Sequence, residues 1–136
     1  MKSIGKIVYS PRSHLGSSKE WAAVMCDDEL SKYYCHLYTM EYPYLNSGRS
    51  LKLSRTIWGA HISFIRATDK DINMKLWGLS ANKIIEFEYE PGVLDNGTYY
   101  WLKVKCKVLS DIRKQYGLSA EPRFGLHLTV GRATNN

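Results

Sequence analysis

Cysteine is scarce: Cys26, Cys35 and Cys106 are the three in a chain of 136 residues. An odd, widely spaced set excludes a closed disulfide framework and predicts a reducing, cytoplasmic setting. Cys26, Cys35 and His36 lack the paired spacing of a structural zinc site, so neither a metal nor another cofactor is expected. Long hydrophobic runs are absent too. The longest, Trp21 to Cys26, is far too short to span a bilayer. Met1 to Pro11 has no apolar stretch of the kind a secretory signal needs. The expectation is a soluble chain, not membrane-bound and not exported by a cleaved signal. No linker or low-complexity segment divides it, and residues 1–136 read as one domain. Acidic residues are the minority, 13 against 19 Lys and Arg. The formal net charge of +6 favours an anionic partner.

What is present reads as mixed strands and helices. Ile4–Tyr9 is predicted as a strand, Pro11–Lys19 as a loop and Trp21–Cys26 as a buried strand. Asp27 or Asp28 caps a helix over Glu29–Glu41, with Leu30, Tyr33, Tyr34, Leu37, Tyr38 and Tyr42 at helical spacing. Pro43 stops it, and Asn46–Ser50 is a turn. Ile57–Ala67 reads as a strand. Lys83–Glu90 alternates, with Ile85, Phe87 and Tyr89 opposed to Glu86, Glu88 and Glu90. Asn96-Gly97 marks a turn into a strand over Tyr99–Val108. The glutamate row can face Lys103, Lys105 and Lys107 across an antiparallel ladder, as a solvated sheet face. Ser110 or Asp111 caps a second helix to about Tyr116, and Gly125–Arg132 is the last strand. This order is not the regular alternation of a parallel doubly wound sheet, so the class is α+β.

Self-comparison isolates one repeated pattern. Residues 58–66, WGAHISFIR, align with residues 124–132, FGLHLTVGR. Both read aromatic, Gly, apolar, His, apolar, hydroxyl, apolar, any, Arg. The chain has four His in all, and His61 and His127 are two of them. Residues two apart on a strand share a face, so His61 projects with Ser63 and His127 with Thr129, while Ile62, Phe64, Leu128 and Val130 turn to a core. Brought together, two such strands make a cleft suited to phosphodiester chemistry. One neutral imidazole takes a proton from the nucleophile, the other gives one to the leaving oxygen, and Ser63 and Thr129 hydrogen-bond the non-bridging oxygens. Arg66 and Arg132 lie at odd offsets from their histidines and reach a phosphate where the strand bends, ends or bulges. Gly59 and Gly125 mark a bend or close backbone approach before each His.

The motifs His61-Ile62-Ser63-Phe64 and His127-Leu128-Thr129-Val130 resemble the signature of the 2H phosphoesterase superfamily. His127 to Arg132 is similar to the second motif of RNA 2′,3′-cyclic phosphodiesterases, and Trp58 to His61 to small phage and bacterial members. The resemblance implies a bilobal α+β fold: two antiparallel sheets, related by a pseudo-twofold axis, around a central cleft, with helices outside. It also implies metal-independent hydrolysis of a nucleotide-derived phosphodiester. The substrate would be a 2′,3′-cyclic phosphate or a short or cyclic oligonucleotide, such as an RNA end or a cyclic nucleotide immune signal. On that reading His61, His127, Ser63 and Thr129 are catalytic, with His127 as base and His61 as acid. Arg132, Arg66, Trp58 and Tyr9 are candidate substrate-binding residues. Trp21, Tyr99 and Trp101 are further aromatic faces on which a base could stack. Core packing is the competing role for each aromatic. The competing function is a non-catalytic nucleotide- or RNA-binding module using the same cleft.

Overall fold

In the computed structural model the described residues are 1–9, 21–56, 59–66 and 69–134. The expected loop at Pro11–Lys19 and the Trp58 side chain lie outside them. The strands are β1 (Lys2–Tyr9), β2 (Ala22–Cys26), β3 (Leu53–Ser54), β4 (His61–Ile65), β5 (Ile84–Tyr89), β6 (Leu94–Asp95), β7 (Tyr99–Lys105) and β8 (His127–Ala133). The helices are α1 (Asp28–Glu41) and α2 (Lys107–Gln115), with a 3-10 turn at Met74–Leu76. No helix among the described residues is long and apolar enough to cross a membrane.

The class is α+β, as the element order predicts. Every ladder is antiparallel, and the strands follow one path, β3-β8-β7-β5-β1-β2-β4, with β6 added to β7. This is one curled sheet rather than two separate ones. The join is short: β5 and β7 pair at Glu88↔Lys105 and Tyr89↔Val104, and the Glu90 N–H donates to Lys103 O at 3.0 Å just beyond. The expected Glu-against-Lys face is kept in part, with Glu88 opposite Lys105 and Glu90 bonded through its backbone to Lys103, while Glu86 pairs with Lys2 at 3.6 Å. Curling brings β4 and β8 into contact although they do not pair.

One sheet face holds the core. Ile7, Val24, Ile62, Phe64, Phe87, Leu102, Leu128 and Val130 pack there with Tyr34 of α1 and with Leu109, Ile112 and Tyr116 of α2. Asp27 caps α1 by accepting the Glu29 N–H at 3.0 Å. The tyrosine-rich stripe divides. Leu30, Tyr34 and Tyr38 turn inward, while Tyr33, Leu37 and Tyr42 are exposed. The second helix begins earlier than its expected cap, because the strand ends at Lys105 and Cys106 takes the N-cap position without a side-chain hydrogen bond. β3 and β6, two residues each, are too short to leave a periodic signal.

Candidate active site

Each motif strand is entered through a glycine in the left-handed region, Gly59 at φ 75° and Gly125 at φ 71°. That backbone turns each glycine carbonyl back towards the histidine two residues on. His61 Nδ1 lies 2.9 Å from Gly59 O, and His127 Nδ1 lies 3.2 Å from Gly125 O. A carbonyl only accepts, so Nδ1 carries the hydrogen in both rings and Nε2 is left with the lone pair. The Thr56 hydroxyl also donates to Gly59 O, at 2.6 Å. Asp28 in the first turn of α1 accepts the Ala60 N–H at 2.7 Å and pairs with Arg55. Those bonds hold the Asp28 carboxyl below its usual range, the Ala60 N–H contributing most.

Beyond the histidines, both strands carry the same irregularity. In β4, Ser63 is opposite Ala23 and Ile65 opposite Ala22, so Phe64 is an extra residue. In β8, Thr129 is opposite Trp101 and Gly131 opposite Tyr100, so Val130 is extra. These are matched β-bulges, three residues after each His. A bulge resets the side-chain alternation. Ile65 and Gly131 are buried next to the bulged residues, and Arg66 and Arg132 emerge exposed on the histidine side. The odd offset of the two arginines is thereby resolved.

His61, His127, Ser63 and Arg66 converge where β4 meets β8. Arg66 Nη2 lies 3.4 Å from His127 Nε2. Ser63 is 8% exposed, and its hydroxyl accepts the Trp21 indole N–H at 3.2 Å. Trp21 meets the His61 ring edge-on at 5.7 Å, and Trp101 meets His127 likewise at 6.3 Å. Thr129 shares the face of His127, with no hydrogen bond to its hydroxyl among the described residues. Both imidazoles are held below the ordinary histidine value, chiefly by burial and further by the Arg66 charge. His127 is lowered additionally by the charge of His61, so the two rings share one field.

The remaining candidates separate. Arg132 stands over the Tyr99 ring, its Cζ 5.7 Å from the centroid, further along the same face. Tyr9 lies on the core side. Its hydroxyl donates to Leu79 O at 2.6 Å and accepts from Tyr116, and its ring packs on Phe64 and Trp77. Trp58 is outside the described residues. Trp21, read from the sequence as one of several aromatic faces, touches both Ser63 and His61. Its compact apolar surroundings read as core, and its link to Ser63 depends on a pairing of β2 with β4 that no local pattern announces. No group of three His, Cys, Asp or Glu able to hold a metal occurs among the described residues. No family model, no curated protein and no solved structure matches this chain.

Proposed function

We propose that the protein is a 2H-type phosphodiesterase that hydrolyses a nucleotide-derived phosphodiester without a metal. The substrate is a 2′,3′-cyclic phosphate or a short or cyclic oligonucleotide. The observation that carries this reading is the paired state of two distant histidines. Each donates Nδ1–H to a glycine carbonyl, keeps Nε2 for chemistry, and responds to the same Arg66 charge.

In this mechanism His127 is the base. A guanidinium can only donate, so Arg66 on Nε2 favours the neutral ring. Bound phosphate draws Arg66 off Nε2, water attacks phosphorus, and its proton passes to the freed lone pair of His127 Nε2. The bond to the leaving oxygen breaks as His61, protonated in the substrate complex, delivers its Nε2 proton there. Ser63 and Thr129 hydroxyls and Arg66 meet the charge that grows on the non-bridging oxygens. Ser63 is ready to donate, because its oxygen already accepts from Trp21. Arg132 over Tyr99 offers a planar surface for the base. On this reading the two lobes are the halves β4-β2-β1-β5 and β7-β8-β3 of the one curled sheet.

The test is a panel of cyclic mono-, di- and trinucleotides, 2′,5′-linked oligonucleotides and 2′,3′-cyclic RNA ends, incubated in EDTA and read by product mass. At least one diester is expected to turn over, and His61→Ala and His127→Ala each to lower the rate about 100-fold or more with the fold intact. Full activity in either variant would remove the mechanism. Nucleotide binding without turnover would leave the non-catalytic module.

A further inference from the structure

Arg113 of α2 is 1% exposed and is not in the histidine cleft. Its guanidinium is fully engaged. Nε donates to Ser119 O at 2.8 Å, and Nη1 donates to Phe64 O at 2.7 Å and to Asp69 Oδ2 at 3.2 Å. Nη2 reaches Asp69 Oδ1 at 3.4 Å, Ser119 Oγ at 3.3 Å and Glu121 O at 3.5 Å. Two of these acceptors matter for the site. Phe64 is the bulged residue of β4, and a bulge leaves a carbonyl without its regular ladder partner. Asp69 in turn accepts the Arg66 backbone N–H at 2.8 Å. Arg66 then reaches His127 Nε2.

We propose that Arg113 and Asp69 form a positioning strut. It fixes the β4 bulge and the backbone of Arg66, and so sets the Arg66 guanidinium against the His127 ring across the cleft. Arg113 and Asp69 touch neither substrate nor imidazole; they act through Arg66. The role of the strut in turnover rests on the function proposed above, but the placement of Arg66 does not, and it is measured separately.

The first readout is the titration of His127 followed by NMR, which needs no turnover. Charged or titratable neighbours of this ring are Arg66 and His61 from the β4 side and Lys103 opposite it on β7. Asp69→Asn removes a negative charge, and by charge alone that would lower the His127 pKa. A released Arg66 has the opposite effect. The expected result is a rise in the His127 pKa in Asp69→Asn and in Arg113→Lys, matching the direction of Arg66→Ala, with no further rise when Asp69→Asn is added to Arg66→Ala. An unchanged or lowered value in Asp69→Asn would overturn the strut. Asp69→Asn is nearly isosteric, so it serves where loss of the Arg113 fork unfolds the chain.

The second readout is kinetic. Asp69→Asn is expected to lower kcat/KM at least 10-fold, and the Asp69→Asn, Arg66→Ala double variant to be no slower than Arg66→Ala alone. Additive losses would contradict action through Arg66. If no diester turns over even in the native protein, the proposed function falls and the His127 titration still decides the strut.

Discussion

A histidine whose Nδ1 hydrogen rests on a carbonyl has only Nε2 left to exchange protons, and that is the state of both His61 and His127. The carbonyl fixes the ring plane and the tautomer together. Burial holds both rings below the ordinary value of 6.5, so both are neutral near pH 7 without ligand. An anionic phosphate supplies the opposing charge that lets one ring take up a proton. The lowered values also bear on stability. Between the folded and unfolded pKa values the unfolded chain binds more protons, so stability is full above about 6.5 and declines as pH falls through that value. Urea unfolding at pH 7.5 and 5.5 is expected to show a lower midpoint at 5.5. The drop should shrink in the His61→Gln, His127→Gln variant. The Asp28 carboxyl, lowered instead, loses its contribution only in more acid solution, below its ordinary 3.8. A midpoint independent of pH across this window would contradict buried neutral imidazoles.

Strands β4 and β8 are one device built twice: glycine in the left-handed region, histidine, hydroxyl, bulge, arginine. The two glycines differ in one respect that can be measured. A Cβ at Gly59 would lie 2.6 Å from Asp28 Oδ1, whereas at Gly125 nothing stands within 4 Å. Gly125→Ala therefore costs only the backbone conformation, about 1–2 kcal/mol. Gly59→Ala is expected to cost more, because Asp28 must also give up its place on the Ala60 N–H. Equal losses on chemical denaturation would argue against the Asp28 contact.

Much at this scale is legible in residue order. Ile85, Phe87 and Tyr89 alternate with glutamates as β5 does, and His61-Ile62-Ser63 and His127-Leu128-Thr129 repeat as their strands do. The odd offset of Arg66 and Arg132 leaves a bend, an end or a bulge open, and nothing in residue order selects the bulge. Phe64 and Val130 are apolar residues at positions where plain alternation already expects an apolar side chain. Cys106, at the start of α2, carries no cap signal. The Arg113–Asp69 pair joins segments far apart in the chain, which no local period encodes.

For the whole molecule, the arrangement of helices explains how two ends of one sheet path meet. α1 follows β2, the ladder partner of β4, yet packs on β8; α2 follows β7, the ladder partner of β8, and touches β4. Each helix thus ties its own half to the motif strand of the other. Arg113 is the polar part of that tie on the β4 side. On the proposed function both imidazoles face one phosphate. The most direct test follows the His61 and His127 ring signals by NMR while a 3′-nucleoside monophosphate is added. Both rings are expected to shift together, with one dissociation constant and one ligand per chain, and both pKa values to rise. Response of a single ring, or two rings answering at different concentrations, would contradict a shared site.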